Sequence, residues 1–153
     1  MSQEKQEINV LGAYPQLVAG KKIVLSVGKR KTAIARAVIR PGQGRFKVNG
    51  VPVELWPIEL AKLKMMEPLN LLSESLRNAV DIDVQVEGGG VMAQAYAVRT
   101  AVARGLVIYF ENPVIKKLFS EYDRSMLAGD PRQTESEKWM RYSARRFRQK
   151  SYR

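Results

Sequence analysis

Few residue types in this 153-residue chain could do chemistry. It contains no histidine and no cysteine. The usual general base near neutral pH, the usual zinc ligand, any thiolate nucleophile and any disulfide are therefore excluded. Asp81 and Asp83 stand two apart in an alternating stretch and so share a side, but a cation site would need more ligands converging on them. They are expected to be solvated carboxylates. No serine or lysine has an evident base and orienting partner, so no catalytic constellation is visible, and no cofactor or metal is expected. What the chain has in excess is positive charge: 26 Lys plus Arg against 15 Asp plus Glu, a formal +11. That chemistry is neutralisation of a polyanion, with nucleic acid the first candidate and an anionic membrane surface the second.

The excess is unevenly placed. Seven of the cations lie in residues 138–153 (Lys138, Arg141, Arg145, Arg146, Arg148, Lys150 and Arg153), where there is no acid. Trp139, Tyr142, Phe147 and Tyr152 are threaded among them. Cationic side chains neutralise phosphates and aromatic rings stack on unpaired bases, so the combination reads as RNA contact. A tail kept only for solubility would not carry exposed aromatics. Arginine outnumbers lysine here, which suits a bidentate grip on phosphate. Extended at roughly 3.4 Å per residue, the segment after Asp130 would reach about 80 Å.

A second basic group is Gly28-Lys29-Arg30-Lys31 at a strand end. It is not a nucleotide-binding P-loop, because Ile23 and Arg30 stand where that motif needs Gly and Ser or Thr. Alone it is equally a charged hairpin tip; Arg36, Arg40, Arg45 and Lys47 nearby favour RNA contact. Gly88-Gly89-Gly90 before a helix could hold an anion, although a turn allowing tight packing is the preferred reading. Arg104 falls on the polar side of the helix that follows.

These groups need elements to position them. Residues 23–27 and 32–40 alternate as strands, with Ala33, Ala35, Ala37 and Ile39 on one side of the second. Gly28 to Lys31 is expected to form the turn between them. Pro41-Gly42-Gln43-Gly44 and Asn49-Gly50 are turns flanking a strand with Phe46 and Val48 inward. Residues 57–79 suggest two short helices, Pro57 and Pro68 each in a first turn, with Leu69, Leu72, Leu76 and Ala79 on one stripe. Val80, Ile82, Val84 and Val86 alternate as a strand. A helix over residues 91–104 carries an apolar stripe of Val91, Ala95, Val98 and Val102. A last helix is capped by Asn112 and buries Ile115, Leu118, Phe119 and Tyr122. The order predicts an α+β two-layer sandwich, a mostly antiparallel sheet with helices on one face. Residues 1–20 form an amino-terminal arm, 21–128 the globular domain and 129–153 an extended basic tail. The start has no signal-peptide core and no apolar run approaches a membrane span, so a soluble cytoplasmic protein is expected, with no membrane or small-molecule substrate as partner.

Two stretches carry a resemblance. VGKRKTAIARAVIRPGQGRFKVNG (residues 27–50) resembles the opening hairpin of the universal small-subunit ribosomal protein S9 family. GGGVMAQAYAVRTAVARGL (residues 88–106) is similar to that family's signature: three glycines, a glutamine, small residues at set spacing, then Arg-Gly-Leu. The ending QKSYR resembles the archaeal and eukaryotic branch. The resemblance covers residues 23–153. It implies the fold of the second domain of ribosomal protein S5, with a left-handed βαβ crossover. It also implies a seat in the head of the small ribosomal subunit, beside neighbouring head proteins. The rRNA-binding candidates are then Lys29, Arg30, Lys31, Arg36, Arg45, Lys47, Arg104, Arg141, Arg145, Arg146 and Arg148. The tail would run to the peptidyl-site tRNA with Lys150, Ser151, Tyr152 and Arg153 nearest it. The chain departs from the family's denser basic run at DPRQTESEKWMRY, where Glu135 and Glu137 intervene, so tail contacts are expected from Arg141 onward. Alternative readings are an RNA-processing factor or ribonuclease subunit, and a free single-stranded RNA-binding module.

Overall fold

The computed structural model describes residues 23–152. The expected amino-terminal arm and Arg153 lie outside the described residues. β1 (Val24–Arg30) and β2 (Ala33–Pro41) pair antiparallel, with Val24 opposite Ile39 and Arg30 opposite Ala33. Only Lys31 and Thr32 lie between them, Lys31 with φ of 53°. The turn thus comes later than expected: Gly28, Lys29 and Arg30 belong to the strand itself. β3 (Phe46–Val48) and β4 (Val51–Pro52) are joined at Asn49 and Gly50, both with positive φ, as a two-residue hairpin requires. A 3₁₀ turn (Val53–Leu55) leads to α1 (Glu59–Asn70), α2 (Glu74–Asn78) and β5 (Val80–Glu87). Then come α3 (Val91–Phe110), α4 (Pro113–Tyr122) and α5 (Ser125–Ala128).

The sheet order is β1-β2-β5-β3-β4, and every pairing is antiparallel except β3 with β5. The molecule is therefore α+β with a mixed five-stranded sheet. α3 lies across β1, β2 and β5, and α1 packs on α3. Ala33, Ala35, Ala37, Ile39, Phe46, Val48, Val80, Ile82, Val84 and Val86 are buried, as their alternation demands.

β1 breaks the simple pattern. Its more apolar side, Leu25 and Val27, is exposed, while Val24 and Ser26 face the core. The cause is how close α3 comes. A Cβ added to Gly28 would sit 2.1 Å from the Ala97 carbonyl oxygen and 2.5 Å from the Ala101 nitrogen. One on Gly105 would sit 2.6 Å from Ile39 Cδ1 and 2.7 Å from Ser26 Oγ. Ser26 Oγ donates to the Ala101 carbonyl at 2.7 Å. Ala97, Ala101 and Gly105 recur every four residues and so share one helix face. The small residues of the sequence signature are thus the surface on which β1 rests.

Three helix expectations are corrected. Pro68 lies inside the last turn of α1, buried beside Met65 and Leu69, and the second helix begins only at Glu74. Pro68 forfeits one bond near the helix end, and core burial outweighs that loss. α3 runs to Phe110 because Leu106, Tyr109 and Phe110 prolong its buried side past Gly105; Glu111, at φ of 50°, ends it. In α4 the Asn112 cap accepts from the Val114 amide at 2.9 Å, but only Ile115 and Phe119 are buried, while Leu118 and Tyr122 are exposed. Gly88 and Gly89 both have positive φ, and a Cβ on Gly88 would meet the Thr32 carbonyl at 2.6 Å, which fits the turn reading of the glycine run.

Gly28→Ala is expected to cost about 2 kcal/mol or more, since its clash is with helix backbone. Gly90→Ala, with open space around it, should be near neutral. Urea denaturation measures both; an unshifted Gly28→Ala midpoint would contradict the close approach.

Candidate nucleic-acid interface

The predicted cations fall into three settings. At the β1–β2 tip, Lys29 and Lys31 are exposed and have no ion-pair partner among the described residues. Arg30 between them is paired with Asp130. Lys29, Arg30 and Arg132 line a cleft of about 230 Å³ together with Tyr96, Thr100, Asp123, Ser125 and Asp130. Asp130 also accepts from the Arg132 backbone amide at 2.9 Å and from its guanidinium at 2.5–3.0 Å. Those Arg132 bonds, then Arg30, hold the Asp130 carboxyl far below the ordinary carboxylate range.

The helix-free side of the sheet is the second setting. Arg36 meets Glu87 at 2.6 Å and Arg40 meets Asp83 at 2.5 Å. Asp81 accepts from the Gln43 and Arg45 amides at 2.8 and 3.0 Å and faces the Arg45 guanidinium at 3.7 Å. Partial burial pushes the Asp81 carboxyl up, but those bonds and the Arg45 and Arg40 charges outweigh it and leave its pKa lowered. Asp81 and Asp83 are therefore ion-paired rather than merely solvated, because β5 lies between β2 and β3 and its outward acids face cations on both sides. Lys47 has no ion-pair partner among the described residues.

The tail is the third. It is exposed from Pro131 to Met140. Beyond that it closes a turn, with Arg141 bridged to Phe147 and the Tyr142 amide donating to the Arg146 carbonyl at 3.0 Å. Arg141 lies over the Phe147 ring at 4.1 Å and Arg148 over Tyr142 at 5.4 Å. This stretch is thus more compact than the extended run expected. Glu135 holds Lys138 at 3.1 Å and Arg145 at 2.9 Å. Arg146 and Lys150 are exposed without ion-pair partners among the described residues, and Ser151 and Tyr152 are exposed as well.

Arg104 behaves unlike the other candidates. Its Nε donates to the Leu127 carbonyl at 2.8 Å, Nη1 to Val27 at 3.0 Å and Nη2 to Ala128 at 3.0 Å. Its donors are engaged with backbone, and it is half-buried rather than projecting from an open helix face.

A model of the family described as ribosomal protein S9/S16 matches residues 28–153. The chain belongs to this family. It is 57% identical over 151 residues to the small ribosomal subunit protein uS9 of Aeropyrum pernix, covering 89% of this chain and 100% of that relative. It is 64% identical over 132 residues to the uS9 of Desulfurococcus amylolyticus, 86% of this chain and 94% of the relative. For the uS9 of Pyrobaculum aerophilum the values are 58% over 132 residues, 86% and 92%. These archaeal relatives agree with the branch read from QKSYR.

Sequence reasoning missed three residues in this S9-family protein. Asp130 and Arg132 gave no signal beyond a lone acid beside Pro-Arg. Arg99 was hidden in the signature, among mostly small and apolar residues. It is 1% exposed, with Nη2 2.6 Å from Asp123 and Nε 2.7 Å from Glu67, the second a charge contact rather than an aligned hydrogen bond. The Tyr96 ring gathers Arg30, Lys64 and Arg99 within 5.6–5.9 Å. Burial pushes the Asp123 carboxyl up, but Arg99 and Ser125 outweigh it and the pKa is lowered from 3.8.

Arg99→Met is expected to cost about 3 kcal/mol at neutral pH, the low end for breaking a buried pair because Asp123 keeps partial solvent access. A lowered folded pKa gives stability that is complete above the ordinary value and fades as pH falls through the folded one. The gap from wild type should therefore shrink below about pH 4. Denaturation midpoints at pH 7 and pH 3 measure it; a gap independent of pH would contradict the ion-pair account.

Proposed function

We propose that this S9-family protein is a structural, non-enzymatic constituent of the small ribosomal subunit, acting in translation in the cytoplasm. In this reading it sits in the head, grips small-subunit rRNA, touches neighbouring head proteins and extends its last residues toward the peptidyl-site tRNA. The observation that carries the reading is the family match across residues 28–153, joined to relatives named small ribosomal subunit protein uS9. The parallel neighbours β3 and β5, linked through β4, α1 and α2, are taken as the left-handed crossover of the S5 second domain.

The way acids are distributed sorts the candidates by role. Lys29, Lys31, Lys47, Arg146 and Lys150 offer uncompensated charge. Arg141 and Arg148 lie over aromatic rings, a pairing of cation and ring that can extend to a base. Arg36 and Arg145 are exposed and paired with exposed acids, while the exposed Arg45 faces the mostly buried Asp81 at 3.7 Å. Surface pairs are weak and screened by salt, so a phosphate can compete for them. Arg30 and Arg104 contribute by holding the hairpin and the start of the tail. Lys150, Ser151, Tyr152 and Arg153 remain the tRNA-proximal group. No chemistry is asked of any of these side chains beyond neutralisation, hydrogen bonding and stacking.

Deleting residues 149–153 should leave incorporation into small subunits intact and weaken retention of peptidyl-site tRNA several-fold. Filter binding of tRNA to purified variant subunits measures this. Normal tRNA affinity in truncated subunits would remove the tail from the proposal.

A further inference from the structure

A tail acts at a distance only if its root points in one direction. We propose that Asp130, clasped between Arg30 and Arg132 and braced by Arg104, is the positioning residue that sets the direction in which the tail leaves the body. The proposal rests on the tail reading above and deepens it.

The anchors run in sequence. Arg104 ties the carbonyls of Leu127 and Ala128 to that of Val27, joining α5 to β1 through one guanidinium. Gly129 then turns at φ of 76°, a conformation suited to glycine, and a Cβ there would lie 3.3 Å from Arg104 Nη2. Asp130 lines up beside Arg30 as a parallel bridge at the end of β1. Its carboxylate takes Arg30 from the strand and Arg132 from the tail. Pro131 between them has its φ restricted by its own ring. Gln133 Nε2 then donates to the Lys31 carbonyl at 3.3 Å. Among the described residues, the hydrogen bonds and ion pairs of the tail from residue 134 onward stay within the tail.

Asp130 makes poor sense as part of a phosphate-binding surface. It sits among Lys29, Arg30 and Arg132 and would repel the ligand they attract. Its side chain is 16% exposed, so it is turned inward to the two arginines. It also lies after α5, beyond the core-burying elements, so its loss should free the tail without unfolding the domain. Arg30 in turn lies over Tyr96, whose ring also contacts the buried Arg99. The clasp is thereby seated on a fixed part of the core.

The absence of cysteine allows two spin labels to be placed at will. Lys117→Cys on the exposed side of α4 and Ser136→Cys just past the clasp report the exit direction. A narrow distance distribution is expected with Asp130, at least twofold broadening with Asp130→Ala, and recovery of most of the narrowing with Asp130→Glu. Thermal melting should stay within a few degrees of the parent. An unchanged width in Asp130→Ala would overturn the proposal, as would broadening that comes only with loss of the folded domain.

Small subunits carrying Asp130→Ala should keep one copy of the protein and release peptidyl-site tRNA faster, in the direction of the 149–153 deletion. If the deletion shortens tRNA residence and Asp130→Ala does not, the clasp does not serve the tail and the proposal fails. If the deletion itself has no effect, the tail reading fails, while the distance measurement still decides the clasp.

Discussion

The approach of α3 to β1 is the constraint on which the rest depends. Gly28 lies against the backbone at Ala97 and Ala101, and Gly105 against Ile39 and Ser26. A separation this small is reached only where side chains are absent or minimal. It has two consequences for the charged groups. It stiffens the strand that carries Lys29 and Arg30, so the hairpin tip is presented from a fixed base. It also brings Arg104 near enough to β1 to reach the Val27 carbonyl while holding the end of α5. One contact between a glycine and a helix backbone therefore places both the tip and the root of the tail.

Acids decide what the cations can do. Where β5 faces outward, its carboxylates neutralise Arg36, Arg40 and Arg45. Where the buried network runs beneath Tyr96, Glu67 and Asp123 hold Arg99. At the hairpin tip, at Lys47 and along the far tail positive charge is left without an ion-pair partner among the described residues, as it also is at Lys116 and Arg124. Part of the net charge of +11 is thus left free on the hairpin tip and the tail, where a polyanion can reach it, while the outward acids of β5 offset most of the cations on the sheet. The tail carries its own acid at Glu135, whose carboxyl Arg145 and Lys138 hold below the ordinary range. That pairing compacts a stretch that would otherwise repel itself.

Much of this was legible from residue types. Alternation in β2 and β5 has one side entirely apolar or small, so strand and facing could be read together. The Asn49-Gly50 hairpin and the Asn112 cap are local chemistry and were equally plain. β1 was legible as a strand but its facing was not, because Ser26 and Gly28 are chosen by a helix seventy residues away. The ends of α1 and α3 followed core burial over the local signals of Pro68 and Gly105. For the site, sequence can count cations but cannot see which of them meet an acid in space. Arg30 and Arg104 looked like the other basic residues. Their partners, Asp130 and the backbone of residues 27, 127 and 128, come together only in the fold.

The central claim is that this chain is an integral part of the small subunit and not a soluble RNA-processing factor. Sedimentation of the native protein from cell lysate, followed by a high-salt wash of the small-subunit fraction, tests it most directly. The account predicts one copy per small subunit remaining after the wash, because in the proposed reading rRNA is gripped by both the hairpin tip and the tail. Release by salt, or migration as free protein or with a smaller RNA particle, would contradict it.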